Sequence, residues 1–270
     1  MTDRYAVTGN PIAHSRSPQI HAAFARQTGE DMEYTRLLAP LDGFAATVTA
    51  FRAAGGRGAN VTLPFKVEAF RLASETSERA RLAEAVNTLR FDGPRVLGDN
   101  TDGVGLVRDM IANLEVAIEG QRILVAGAGG AARGVIGALL EARPAAIVVA
   151  NRTPERAIEL ARLFGGKVTG CGFDSLGRER FDLVINATSA SIAGEAPPVP
   201  PTAFAGAALA YDMMYGKGEA PFLQLARAHG ARRLADGLGM LVEQAAESFF
   251  IWRGVRPRTA PVLADLRAGK

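Results

Sequence analysis

Two stretches of this 270-residue sequence, Gly127-Ala-Gly-Gly-Ala131 and Asn151-Arg-Thr153, have residue types and spacing that imply chemistry. The first follows a strand-forming run over 122–126 and precedes a helical pattern over 131–142. Glycine at 127 permits a tight strand-to-helix turn. Glycine at 129 lets the backbone approach a pyrophosphate, whose charge the free N–H groups of a helix N-terminus favour. Ala132 stands where a third glycine packs helix against strand, and a small residue suffices there. The string alone is a weak signal. Its strand–turn–helix context makes Gly127, Ala128, Gly129, Gly130 and Ala131 a candidate phosphate cradle.

The second stretch ends the next strand-like run, 146–150. Asn151 lies 24 residues after Gly127, where a carboxylate would hold the ribose 2′-hydroxyl of NAD. No carboxylate is present. Arg152 can instead meet a 2′-phosphate with charge-assisted hydrogen bonds and lay its planar guanidinium on adenine. Thr153 can donate its hydroxyl to the same phosphate, and Arg156, one turn on, adds positive charge. Together with the glycine turn, these residues favour NADP over NAD.

The elements that would position these groups alternate in type. Strand-like runs begin at residue 4 and span 32–38, 59–63 and 83–89, with 95–97 closing a hairpin over Phe91-Asp-Gly-Pro94. Helical patterns start at Pro18 and cover 44–54 and 66–72. A longer helix is expected over 101–114. Beyond it, strands at 122–126, 146–150, around 168, 181–186 and 207–211 alternate with helices at 131–142, 154–164 and 221–229. Short strands apolar on both faces favour a parallel sheet covered by helices. Residues 190–202 read as a loop, and a final helix over 239–250 carries a long apolar face. The fold class is α/β.

Composition narrows the partners. A formal charge of +3, without a long basic block, gives no argument for nucleic acid. One cysteine, Cys171, rules out an intrachain disulfide framework and fits a reducing compartment. Three scattered histidines, His14, His21 and His229, form no zinc pattern, and no metal is expected. No run approaches a membrane-spanning length, and the N-terminus has no basic-then-apolar leader, so a cytoplasmic protein is expected.

The motifs, in order, carry a resemblance. They are Gly9-Asn-Pro-Ile-Ala-His-Ser-Arg-Ser-Pro18, Asn60-Val-Thr-Leu-Pro-Phe-Lys66, Ala85-Val-Asn-Thr88, Gly98-Asp-Asn-Thr-Asp-Gly103, the glycine turn, Asn151-Arg-Thr153, Asn186-Ala-Thr-Ser189, Tyr211-Asp-Met-Met-Tyr215 and Gly237-Leu-Gly-Met-Leu-Val-Glu-Gln244. Over essentially its whole length the chain resembles the bacterial, NADP-dependent members of the shikimate/quinate dehydrogenase family. The resemblance implies a substrate-binding domain over 1–101, a Rossmann-like NADP domain over 102–236 and C-terminal helices over 237–270 that return to the first domain. It places the active site in the cleft between the two domains. The activity it implies is reversible NADPH-dependent reduction of 3-dehydroshikimate to shikimate, a step of aromatic amino-acid biosynthesis. The implied partner is a small molecule, with no nucleic acid and no membrane; monomer and homodimer stay open.

Position by position, the resemblance assigns Lys66 and Asp102 as the catalytic pair. Ser15 and Ser17 correspond to the hydroxyls that hold the substrate carboxylate, with Tyr215 helping from the second domain. Asn60, Thr62, Asn87 and Gln244 correspond to residues around the ring hydroxyls. Asn151, Arg152 and Thr153 match the adenosine-phosphate loop, while Thr188, Met213 and Gly237 approach the nicotinamide half. These types suit the task. Two serines two apart on an extended segment can aim at one anion, although Ser17 could also cap the helix opened by Pro18. An ammonium and a carboxylate flanking a hydroxyl give its proton a route, with the base unassigned within a coupled pair.

Two positions depart from the pattern. Glu84 precedes Ala85-Val-Asn-Thr88 where the family usually has glycine, and Ser191 replaces a glycine after Asn186-Ala-Thr-Ser189. Both are expected to make the backbone less permissive. Quinate oxidation, another small hydroxy acid or aminated substrate, and a non-enzymatic NADP sensor are the rival readings. The serine pair favours shikimate, and the presence of Lys66 and Asp102 opposes a sensor.

Overall fold

The computed structural model describes residues 2–216 and 218–269. They divide into two compact units. One runs to Gly105 and resumes at Leu241, and the other is Leu106–Met240.

The first unit opens with β1 (Asp3–Gly9), α1 (Ser17–Thr28), β2 (Met32–Leu38), α2 (Phe44–Ala53), β3 (Gly56–Val61) and α3 (Lys66–Leu72). It continues through β4 (Glu75–Thr76), α4 (Glu78–Ala83), β5 (Thr88–Asp92), β6 (Arg95–Asp99) and the start of α5 (Asp102–Arg108). The sheet order is β2-β1-β3-β5-β6-β4. β2, β1 and β3 run parallel, and β5 pairs antiparallel with β3 and with β6. Strand alternation explains the two buried faces. Tyr5, Val7 and Tyr34 pack together on one, while Ala6, Ala59 and Val61 pack with Phe44 and Val48 on the other.

Among the strands, the start of β5 departs furthest from the sequence pattern. The strand expected from 83 begins at Thr88. Ser77 caps a short helix by accepting from the Ala80 N–H at 3.2 Å, and that helix runs through Ala83 before Glu84 turns the chain in a left-handed conformation. The apolar run Ala83–Leu89 thus mixes a helix end with a strand start, and periodicity over so few residues does not separate them.

The second unit contains β7 (Arg122–Ala126), α6 (Gly130–Glu141), β8 (Ala146–Asn151), α7 (Pro154–Phe164), β9 (Val168–Gly172), β10 (Leu183–Asn186), β11 (Leu209–Asp212), α8 (Pro221–Ala228) and β12 (Leu234–Ala235). All pairings in its sheet are parallel, in the order β12-β11-β10-β7-β8-β9. The order therefore reverses between β7 and β10, the switch point at which doubly wound sheets bind ligands outside their strand carboxyl ends. Ile123, Val125 and Ile185 bury against Val135 and Ile136 on one face, and Leu124, Ala126 and Val184 against Phe204 and Phe222 on the other.

The single helix expected over 101–114 is α5 followed by a π turn, Asp109–Asn113. Asp109 is buried there and accepts from the Tyr211 hydroxyl at 2.6 Å and the Asn113 amide at 2.9 Å. The expected loop over 190–202 holds two short 3-10 turns, Ala190–Ala193 and Pro201–Phe204. The chain ends in α9 (Leu238–Arg253) and α10 (Ala260–Arg267).

Candidate active site

Lys66 is the first residue of α3 and Asp102 the first of α5, two helix starts that follow β3 and β6. The Lys66 ammonium donates to Asp102 Oδ2 at 2.5 Å, with side-chain exposures of 22% and 8%. The partly exposed ammonium keeps further N–H donors for an outside oxygen. Asp102 is held from behind. Its Oδ1 accepts from Asn87 Nδ2 at 2.8 Å, and its backbone N–H donates to Asn100 Oδ1 at 3.1 Å. Asp99 fixes that turn in its own right, receiving the Asn100 N–H at 2.7 Å and a two-pronged Arg79 at 2.7 and 2.9 Å.

Asn87 sits where β5 begins and is the centre of a buried polar cluster. Besides Asp102, its amide donates to Thr101 Oγ1 at 3.0 Å and Gln244 Oε1 at 3.3 Å, while its Oδ1 accepts the Thr101 N–H at 2.9 Å. Asn60, in β3, donates to Ser248 Oγ at 2.9 Å and accepts from the Tyr34 hydroxyl at 2.8 Å. Gln244 and Ser248 stand four apart on α9, so one helix face supplies both. Burial pushes the Tyr34 phenol well above its ordinary value, with the Ser17 hydroxyl opposing weakly, so the phenol remains a donor to Asn60. Each of these amides would be costly to bury without partners, and each has them.

Ser15 and Ser17 are both buried, and their hydroxyls lie 3.2 Å apart. Ser15 Oγ also accepts the Ser17 N–H at 3.3 Å, while Arg36 grips the Ser15 carbonyl at 3.0 and 2.6 Å. The capping alternative for Ser17 is not realised: Arg16 occupies the N-cap of α1, without a side-chain cap. Thr62 follows β3, half-buried, and its hydroxyl has no hydrogen-bond partner among the described residues.

In the second unit the glycine turn leaves β7 at the switch point. Gly127 has φ 107°, and a Cβ there would lie 3.0 Å from Thr188 Cγ2. Gly129 and Gly130 differ: nothing lies within 4 Å of the position a Cβ would take. The fold itself demands glycine at 127 only, and the other two leave bare backbone at the positive end of α6. At the end of β8, Asn151 Nδ2 donates to the Thr153 carbonyl at 3.1 Å and braces the turn. Thr153 takes the N-cap of α7 without using its hydroxyl there. Arg152 and Arg156 are exposed and make no ion pair among the described residues. Thr188, Met213 and Tyr215 follow β10 and β11, and Gly237 precedes α9. The Met213 N–H donates to the Asn186 carbonyl and the Gly237 N–H to the Met214 carbonyl, each at 3.0 Å.

Family models match three stretches: a shikimate dehydrogenase substrate binding domain over residues 7–89, shikimate/quinate 5-dehydrogenase over 110–193, and a shikimate 5′-dehydrogenase C-terminal domain over 237–267. A shikimate dehydrogenase (NADP(+)) of Nitrosospira multiformis is 62% identical, covering 99% of this chain and 98% of that protein. The chain belongs to the shikimate dehydrogenase family. Among similar solved structures, an Ael1 enzyme from Pseudomonas putida has a TM-score of 0.95 at 48% identity, covering 98% of each chain. Shikimate 5-dehydrogenase from Thermus thermophilus, solved with NADP(H) and shikimate, has a TM-score of 0.88 at 34% identity and covers 100% of both chains.

Within this shikimate dehydrogenase fold, Lys66, Asp102, Asn87, Asn60 and Gln244 converge through shared hydrogen-bond partners. Sequence reading missed their framework: Tyr34, Thr88, Asn100, Thr101 and Ser248. Small polar residues inside apolar strand and helix patterns were the available signal, since a buried hydroxyl needs a partner. Among the described residues no His/Cys/Asp/Glu group could hold a metal, and no helix is long and apolar enough to cross a membrane.

Proposed function

We propose that this chain catalyses reversible NADPH-dependent reduction of 3-dehydroshikimate to shikimate, with the proton passing through Lys66 and Asp102. The observation that carries the reading is the ammonium–carboxylate contact of 2.5 Å, partly exposed on one side and locked by Asn87 on the other. In this assignment residues 1–101 bind substrate, 102–236 bind NADP, and 237–270 complete the first domain.

The second unit fits NADP by the chemistry of its donors. Bare backbone at Gly129 and Gly130 beside the α6 N-terminus suits a pyrophosphate. Two guanidiniums without an ion pair among the described residues, and the uncommitted Thr153 hydroxyl, suit a 2′-phosphate at the end of β8. Gly127, Ala128 and Ala131 shape the turn, and Thr188, Met213 and Gly237 would meet the nicotinamide half. When bound, NADPH supplies the hydride.

The protein's own residues do the rest. Ser15 and Ser17, with Tyr215, hold the substrate carboxylate. Asn60, Thr62, Asn87 and Gln244 orient the ring oxygens. As the carbonyl oxygen gains charge, the Lys66 ammonium donates a proton to it, and Asp102 keeps the ammonium aimed. In oxidation the pair takes that proton back. The partner is a small molecule, and the single cysteine suits a cytoplasmic setting.

A spectrophotometric panel of shikimate and quinate, each with NADP and NAD, tests the reading. Turnover is expected to be fastest with shikimate and NADP. No turnover with that pair refutes it.

A further inference from the structure

Asp212 ends β11 with no measurable exposure. It makes no ion pair among the described residues, so hydrogen bonds must carry its solvation. Oδ1 accepts the Met214 N–H at 2.9 Å. Oδ2 accepts from Asn186 Nδ2 at 3.1 Å and from Ser191 Oγ at 2.6 Å. Asn186 Nδ2 also reaches Ser191 Oγ at 3.2 Å. Ser191, Asn186 and Asp212 thus close a triangle across the carboxyl ends of two neighbouring parallel strands.

Hydrogen bonds tie this triangle to the loops on either side. Asn186 Oδ1 accepts both the Thr188 N–H, at 3.0 Å, and the Thr188 hydroxyl, at 2.7 Å. The Thr188 oxygen in turn accepts the Ala190 N–H at 3.3 Å. The Thr188 methyl lies against Gly127. On the other side, a Cβ on Gly237 would fall 2.2 Å from the Met213 carbonyl oxygen, so that glycine permits direct backbone contact. Gly127, Thr188, Met213 and Gly237 are therefore linked in series, and Ser191 is the side chain that returns the far end of the Thr188 loop to Asp212. The serine in place of a glycine does not strain the backbone, contrary to the expectation from sequence. It lies outside the left-handed region and adds a hydrogen bond.

We propose that Ser191 is a positioning residue for the nicotinamide half of the cofactor, acting through Asp212 and Asn186 on Thr188 and Met213. The proposal rests on the assignment of those two loops to the cofactor. Its test is the Ser191→Ala variant, with Ser191→Thr as the hydroxyl-retaining control. Losing the short hydrogen bond to a carboxylate is expected to raise the KM for NADP and lower kcat, each roughly five- to tenfold, with the KM for shikimate within about twofold of wild type. Ser191→Thr should recover most of the loss. A purely structural role would lower the melting temperature without splitting the two KM values. Unchanged kinetics in Ser191→Ala, an equal rise in both KM values, or no recovery by threonine overturns the proposal. Titration of NADPH by its own fluorescence needs no turnover and separates this proposal from the assigned reaction. Weaker NADPH binding by Ser191→Ala supports the positioning role even if shikimate is not oxidised, and equal binding overturns it.

Discussion

Asn87 donates to one oxygen of the Asp102 carboxylate at 2.8 Å, while the Lys66 ammonium takes the other at 2.5 Å. The carboxylate is therefore fixed from two directions, one of them interior. In Asn87→Ala, Asp102 loses its interior donor and the Thr101 N–H loses its acceptor. We expect kcat to fall by about 10- to 100-fold and stability by about 1–3 kcal/mol. Steady-state rates and urea unfolding measure the two effects. A variant with wild-type kcat would show that Asp102 needs no fixing by Asn87.

Lys66→Met keeps most of the side chain's length and removes its ammonium. Loss of a positioned acid–base group costs about 10²- to 10⁴-fold in kcat. Lys66 is not among the residues proposed to hold NADP, so NADPH affinity should stay within about twofold of wild type. Initial rates and an NADPH titration check both halves, and unimpaired turnover removes Lys66 from the proton route.

Much of this was legible in the sequence because it rests on short-range rules. The strand–glycine–helix turn, the missing acid after β8 and the parallel apolar strands are all local patterns, and they lead directly to the doubly wound sheet. The long-range partners were less accessible. Ser248 falls within the apolar helix expected over 239–250, and it meets Asn60, 188 positions earlier in the chain. Thr101 reads as a helix start but is enclosed by Asn87 and Gln244. Asp109, which opens the π turn, is hydrogen-bonded by Tyr211, more than a hundred residues later. Such contacts leave no periodic trace. Ser191 shows the converse error. A serine in place of glycine reads as a backbone cost, when its hydroxyl has a carboxylate waiting in another strand.

Arg152 is exposed and makes no ion pair among the described residues, so its charge is not committed to the fold. Arg152→Ala should raise the KM for NADP by about tenfold or more, the value of one charge-assisted contact, while changing that for NAD by about twofold or less. Kinetics with both cofactors decide between two roles. Equal losses with NADP and NAD would point to adenine stacking in place of phosphate binding.

Glu84 has φ 47°, at the C-terminal cap of α4. A side chain in the left-handed region carries a steric cost that glycine avoids, partly offset by the greater freedom of glycine in the unfolded chain. The backbone change in Glu84→Gly should therefore favour the variant by about 0.5–1 kcal/mol, set against the interaction that Glu84 makes. Urea unfolding is the measurement, and a loss of stability would show that the glutamate side chain contributes more than its backbone costs.

His21 lies fully buried in α1, its ring stacked on Tyr34 at 4.1 Å between centroids and 9° between planes. Burial holds its pKa down at about 3, with Asn60 nearby opposing only weakly, and neither ring nitrogen makes a well-formed hydrogen bond among the described residues. The ordinary value is 6.5. As pH falls through that value, the unfolded chain takes up a proton that the folded chain refuses. Stability is thus unaffected by this group well above its ordinary pKa, and declines by up to about 1.4 kcal/mol per pH unit from there down to the folded value. His21→Phe retains an aromatic ring for stacking and removes the proton site. The difference in unfolding free energy between variant and wild type should therefore move in the variant's favour by roughly 1–2 kcal/mol between about pH 7 and pH 5. Urea melts of both proteins across that range test the point. Parallel pH profiles would mean that folded His21 accepts its proton almost as readily as the unfolded chain does.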